Sequence, residues 1–133
     1  MISLNILIVE DESIVAKDIQ NILNRLGYSA YSIVSRGKDA IKKAAETQPD
    51  LIMMDIKLKD DMDGIETAEQ IRSRFCIPVI YMSALSDEDS LKRARKTEPF
   101  FFISKPVEES ELKVTIEKAY SLQNMRSKSR SQK

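Results

Sequence analysis

The sequence predicts a single α/β domain built on an open, parallel, doubly wound sheet. Two observations carry that expectation. Five short apolar runs alternate with five longer stretches whose apolar residues recur at helical spacing. Such alternation is the mark of βα units joined by right-handed crossovers. The runs are also almost continuously apolar rather than alternating, the pattern of strands covered on both faces. At 133 residues the chain can bury one such core without disulfides.

The first run is Leu4–Val9, L-N-I-L-I-V. Ile14, Val15, Ile19, Ile22, Leu23 and Leu26 then follow at helical spacing, with Gly27 as the stop. Tyr28–Val34 is a second, weaker run. Ala40, Ile41, Ala44 and Ala45 mark a helix that ends before Pro49. Leu51–Ile56, L-I-M-M-D-I, is the third run. The helix after it turns Ile65, Ala68 and Ile71 inward, and Asp63 has the chemistry of its N-cap. Pro78–Met82 is the fourth run. It leads to a helix with a thin apolar stripe, Leu91 and Ala94, and with Ser86 and Asp89 as a capping pair. Phe100–Ser104 is the fifth, and Leu112, Thr115, Ile116, Ala119 and Tyr120 complete the last helix. Residues 1–122 are expected to form the domain. Residues 124–133 hold four of the 21 basic groups and none of the 21 acidic ones. With so little apolar content, 123–133 reads as a basic tail, disordered or the stub of a linker.

Composition excludes several function classes. Equal numbers of basic and acidic groups give no whole-domain grip on nucleic acid or an anionic membrane. The absence of histidine removes every His-dependent triad, general base and metal site. One cysteine, Cys76, cannot form an internal disulfide, so a reducing cytoplasm is the expected compartment. No apolar run approaches the roughly 18 residues of a membrane span.

In open α/β sheets, ligands bind beyond the carboxyl ends of the strands. There the sequence places Glu10, Asp11 and Glu12, then Asp55, then Ser83-Ala84, then Ser104-Lys105-Pro106. Each alone has an ordinary reading. Acids after a strand are helix N-terminal charges, Ser83 is a turn hydroxyl, and Lys105 is a solvated lysine. Asp55 resists that treatment, because it interrupts an apolar strand and a buried carboxylate needs a partner. Placed on one edge, the set describes a site. Clustered carboxylates repel unless a cation neutralises them, and hard oxygen ligands without His or Cys select Mg²⁺, Mn²⁺ or Ca²⁺. A lysine, a hydroxyl and a backbone N–H suit a phosphate. A carboxylate nucleophile, a metal and a lysine together suit the acceptance of a phosphoryl group.

The motifs I-L-I-V-E-D-E, L-I-M-M-D-I-K-L, M-D-G-I-E, P-V-I-Y-M-S-A and F-I-S-K-P occur in order over residues 4 to about 122. As a set they resemble the receiver domain of two-component response regulators. The resemblance implies a flavodoxin-like (βα)5 fold of strand order 2-1-3-4-5. It implies Asp55 as phosphoryl acceptor and Mg²⁺, with Mn²⁺ as a substitute, held by Glu10, Asp11, Asp55 and the Lys57 backbone carbonyl. Ser83 and the Ala84 N–H would bind phosphoryl oxygens, Lys105 would pair with the phosphate, and Lys105–Pro106 would be cis. Ser83 and Phe102 would form the switch. The donor would be a phosphohistidine on a sensor histidine kinase or phosphotransfer protein. The output would pass through the face of helix four, strand five and helix five to a downstream protein target or effector domain. That face could also support a phosphorylation-linked homodimer, with Lys92, Arg93, Arg95 and Lys96 opposite Glu108, Glu109, Glu111 and Glu117. Lys57 and Leu85 would flank the path of the hydrolytic water, which implies a long-lived phosphoryl-aspartate. Such a domain catalyses its own phosphorylation and dephosphorylation but is a signalling module, not an enzyme.

Three departures stand out. The interval from Asp55 to Gly64 is one residue longer than is commonest, Lys59 replaces the usual proline, and Asp60, Asp61 and Asp63 crowd the loop. The switch aromatic is a phenylalanine, which packs but cannot donate a hydrogen bond, and Phe101 replaces a small residue. Rival readings fare worse. Asp61-Met62-Asp63-Gly64 mimics the aspartate motif of haloacid-dehalogenase-type phosphatases but does not follow directly on an apolar strand. An EF-hand in register with Gly64 would start at Lys59 and end at Gln70, which removes both terminal acids. A flavin phosphate would be repelled by Glu10-Asp11-Glu12. The remaining alternative is a receiver-like docking module that is not phosphorylated, against which the complete set of acids, hydroxyl and lysine argues.

Overall fold

The computed structural model describes residues 4–58, 62–84, 88–97 and 101–131, with side chains to residue 122. Five strands, β1 (Asn5–Val9), β2 (Ser29–Val34), β3 (Leu51–Asp55), β4 (Val79–Ser83) and β5 (Phe102–Ser104), alternate with five helices. These are α1 (Ser13–Arg25), α2 (Gly37–Thr47), α3 (Gly64–Arg74), α4 (Glu88–Arg95) and α5 (Glu109–Ser131). The sheet is parallel throughout, in the order β2-β1-β3-β4-β5, which is the flavodoxin-like arrangement.

Strand periodicity divides the core into two layers. Ile6 and Ile8 of β1 face a cluster completed by Ala16, Ile19 and Leu23 of α1 and Leu112, Ile116 and Ala119 of α5. Leu7 and Val9 face the opposite cluster, with Ala40 and Ala44 of α2, Ile65, Ala68 and Ile71 of α3, and Ala94 of α4. Every residue of β3 and β4 is buried. That burial is why these two runs read as continuous rather than alternating. Each fully buried aliphatic side chain contributes roughly 1.5–3 kcal/mol, so the two layers supply the main stabilising term.

Local signals set the helix ends. Gly27, at φ 92°, lets the chain leave α1, and the Tyr28 N–H closes the turn on Leu23 O. Asp63 caps α3 in a reciprocal box: its carboxylate accepts from the Glu66 N–H, while Glu66 accepts from the Asp63 N–H. One expectation needs correction. Ile14 is 85% exposed, not part of the inward stripe of α1, because Val15 and Ala16 take the sheet-facing positions. Helix α5 runs on through Ser131. The Ser86 cap and the start of the fifth run at Phe100 lie outside the described residues.

Candidate functional site

The carboxyl ends of β1, β3, β4 and β5 converge on a pocket of about 610 Å³. Asp11, Asp55, Lys57, Ser83, Ala84 and Lys105 all line it. The order of the sheet explains the convergence. Because β1 and β3 are neighbours, Glu10 and Asp11, which follow β1, meet Asp55 at the tip of β3. Because β4 and β5 come next, Ser83 and Lys105 close the far side.

Glu10, Asp11 and Asp55 each bring a carboxylate oxygen within 4.8 Å of the others. Glu10 and Asp55 are almost fully buried. The Lys105 ammonium stands between them, 2.6 Å from Glu10 Oε1 and 3.4 Å from Asp55 Oδ2. Backbone donors take the other oxygens: the Glu12 N–H donates to Glu10 Oε2 at 3.1 Å and the Lys57 N–H to Asp55 Oδ1 at 3.2 Å. Glu10 Oε1 is held by the ammonium's charge rather than by a well-aligned hydrogen bond.

Electrostatics follow from this crowding. Burial, reinforced by the Glu10 carboxylate, raises the Asp55 pKa from 3.8 to about 7, against the opposing pull of Lys105. For Lys105, burial works to lower the pKa, but the two carboxylates outweigh it and the net shift is upward. The donor set fits a small hard divalent cation. It offers three carboxylate oxygens, with no nitrogen or sulfur ligand, around an incompletely satisfied buried oxygen.

Ser83 is buried at the tip of β4, and Ala84 beside it is exposed. Half-buried Phe102 packs against the α2–α3–α4 layer and pairs with Tyr81 across β4 and β5. The Lys105–Pro106 peptide is cis. Leu85 and the loop residues Lys59, Asp60 and Asp61 lie outside the described residues.

The structure adds three residues that sequence reasoning missed or undervalued. Asp63 and Ser90 also line the pocket. Gly64 packs so tightly that a Cβ there would collide with the carbonyl oxygen of Asp55. The signal for Gly64 was present in the Asp-Gly pair that follows the third run, but its meaning depends on a contact across the loop.

A (βα)5 domain with acids, hydroxyl and lysine at one sheet edge defines a receiver. The family model for the response regulator receiver domain matches residues 6–117, and the chain belongs to that family. Transcriptional regulatory protein PdtaR of Mycobacterium tuberculosis is 34% identical over 116 residues, 87% of this chain and 56% of that protein. Phyllosphere-induced regulator PhyR of Methylorubrum extorquens is 30% identical over 119 residues, 89% of this chain and 44% of that protein. The chain thus spans about half the length of these relatives. The signal receiver domain of a modulated diguanylate cyclase from Desulfovibrio desulfuricans G20 superposes with a TM-score of 0.88 at 30% identity. That alignment covers 94% of this chain and 99% of the other. Among the described residues, no helix is long and apolar enough to cross a membrane.

Proposed function

We propose that this receiver domain accepts a phosphoryl group on Asp55 from a phosphohistidine of a sensor histidine kinase or phosphotransfer protein, in a Mg²⁺-dependent reaction. The observation that carries this reading is the trio Glu10, Asp11 and Asp55 with the Lys105 ammonium set between two of its members. Glu10, Asp11, Asp55 and the Lys57 carbonyl would hold the cation, and Mn²⁺ would serve in its place. When bound, the cation supplies charge neutralisation for the carboxylates and the phosphoryl oxygens.

The chain's own groups do the rest. An Asp55 carboxylate oxygen attacks phosphorus in line, the P–N bond to the donor breaks, and the donor imidazole keeps the electron pair. Lys105 stabilises the charge on the phosphoryl oxygens. The Ser83 hydroxyl and the Ala84 N–H donate to those oxygens. Ser83 then moves toward the phosphoryl group and Phe102 turns inward, which reshapes the α4–β5–α5 face for a downstream protein target or effector domain. The compartment proposed is the cytoplasm. A homodimer through the same face would draw on Lys92, Arg95 and Lys96 against Glu108, Glu111 and Glu117. Arg93 and Glu109 are already paired within the domain, to Asp63 and Arg25.

The test is incubation with Mg²⁺ and acetyl phosphate, followed by intact mass. A single phosphoryl adduct, absent from Asp55→Asn, is expected. No adduct on the unsubstituted protein would favour a docking module that signals without phosphorylation.

A further inference from the structure

Helix α4 is held by little apolar contact. It buries two side chains, Leu91 and Ala94, and one of these is only a methyl group. Among the described residues, two polar ties attach it to the frame of the site. Near its middle, Arg93 Nη1 donates to Asp63 Oδ2 at 2.8 Å. Asp63 uses its other oxygen to cap α3, and the next residue, Gly64, gives its N–H to Ile56 O. Arg93 therefore grips the loop that begins at the acceptor Asp55. Just past the end of α4, Thr97 Oγ1 lies 3.4 Å from the hydroxyl of Tyr81.

The direction of that second bond can be deduced. Thr97 Oγ1 spends its single proton on Ala94 O at 2.6 Å, so Tyr81 donates to Thr97. The Tyr81 ring is fully buried and the Arg72 guanidinium stands 5.6 Å from its centroid. A buried phenol in that setting requires a partner for its hydroxyl. Tyr81 is also two residues before Ser83 on β4 and is the cross-strand partner of Phe102, which has no hydroxyl of its own.

We infer that the Tyr81–Thr97 and Arg93–Asp63 contacts together form a latch that keeps α4 docked in the arrangement seen here. One tie reports on the strand that carries Ser83 and the other on the loop that carries Asp55. The hydrogen-bonding part of the switch thus resides in Tyr81 rather than in Phe102. This rests on the phosphoacceptor reading only where the ligand of the site is concerned. By linkage, if occupation of the site releases the latch, then weakening the latch must favour occupation by the same factor.

The test uses the full chain and two variants. Tyr81→Phe removes one hydroxyl and Arg93→Gln removes one charge. Amide hydrogen exchange of residues 91–97 is expected to accelerate in each, by about two- to fivefold, the range for a long hydroxyl contact and an exposed ion pair. Exchange in β1, β3 and α5 should stay unchanged. No acceleration in either variant, or an equal acceleration throughout the domain, overturns the latch. Affinity for beryllofluoride in the presence of Mg²⁺ is then expected to rise by a matching factor, and unchanged or weaker binding in both variants overturns the coupling. If the unsubstituted protein fails to bind beryllofluoride, the phosphoacceptor reading falls and the exchange comparison alone decides the latch.

Discussion

The ammonium of Lys105 stands closer to Glu10 than to Asp55, at 2.6 Å against 3.4 Å. Lys105 therefore acts first as the counter-charge of a buried glutamate and only second as a neighbour of the proposed acceptor. With it in place, Glu10 can remain beneath the pocket in the absence of a cation. Without it, the Glu10 and Asp55 carboxylates would face one another without the ammonium that now stands between them.

Lys105→Met is accordingly expected to destabilise the metal-free protein by about 1–3 kcal/mol. That is below the ~3–5 kcal/mol of a fully buried pair, because the Lys105 side chain is 22% exposed. The rise in melting temperature on adding Mg²⁺ should become larger than in the unsubstituted protein, since the cation then supplies the missing charge. Thermal unfolding with EDTA and with excess Mg²⁺ measures both. A smaller Mg²⁺ response would mean that Lys105 helps to order the cation's ligands rather than substituting for the cation.

Asp55 should impose a pH dependence on stability in the absence of metal. Its pKa is about 7 in the fold and near 3.8 in the unfolded chain. Between those values the native state holds a proton that the unfolded state has released. Stability therefore falls as pH rises through that window, by at most about 1.4 kcal/mol per pH unit. Asn cannot ionise, so the advantage of Asp55→Asn in EDTA should grow from pH 5 to pH 7 and level off above. Parallel melting curves for the two proteins across that range would show that Asp55 ionises without cost.

The order of strands and the two-layer core were legible because β3 and β4 are buried throughout, and burial on both faces leaves a continuous apolar run. The site was legible for a related reason. Glu10 and Asp55 are charged residues at the ends of such runs, where an apolar residue would otherwise be expected. The exposure of Ile14 was not legible, since helical spacing alone cannot choose between neighbouring faces when Ile14, Val15 and Ala16 are all apolar. The two ties of α4 were hidden for another reason. Arg93 and Asp63 are 30 residues apart and Tyr81 and Thr97 are 16 apart, and nothing in local pattern joins them.

Glu10→Gln combined with Asp11→Asn should abolish most of the Mg²⁺-dependent rise in melting temperature. Both changes keep side-chain shape and remove formal charge from the trio that fits a hard cation. A Mg²⁺ response of undiminished size would move the cation to another part of the molecule.

Gly64 gives a final prediction that separates packing from chemistry. A Cβ at this position would meet the Asp55 carbonyl, its carbon and the Ile56 Cα, all of them backbone atoms that cannot rotate away. Gly64→Ala must push α3 and the tip of β3 apart. The expected cost is about 1–3 kcal/mol, the range for overpacking a well-filled site. Because the displaced strand end carries Asp55, phosphoryl acceptance from acetyl phosphate should fall even at temperatures where the variant is folded. Gly27→Ala is the matched control. Gly27 sits at φ 92° with open space around its missing Cβ, so alanine there strains only the turn after α1. It should cost about 1–2 kcal/mol and leave acceptance unchanged. Circular dichroism melts give the two stabilities and intact mass gives the two rates. Equal rates in the folded variants would show that the close contact between Gly64 and Asp55 serves the fold and not the acceptor.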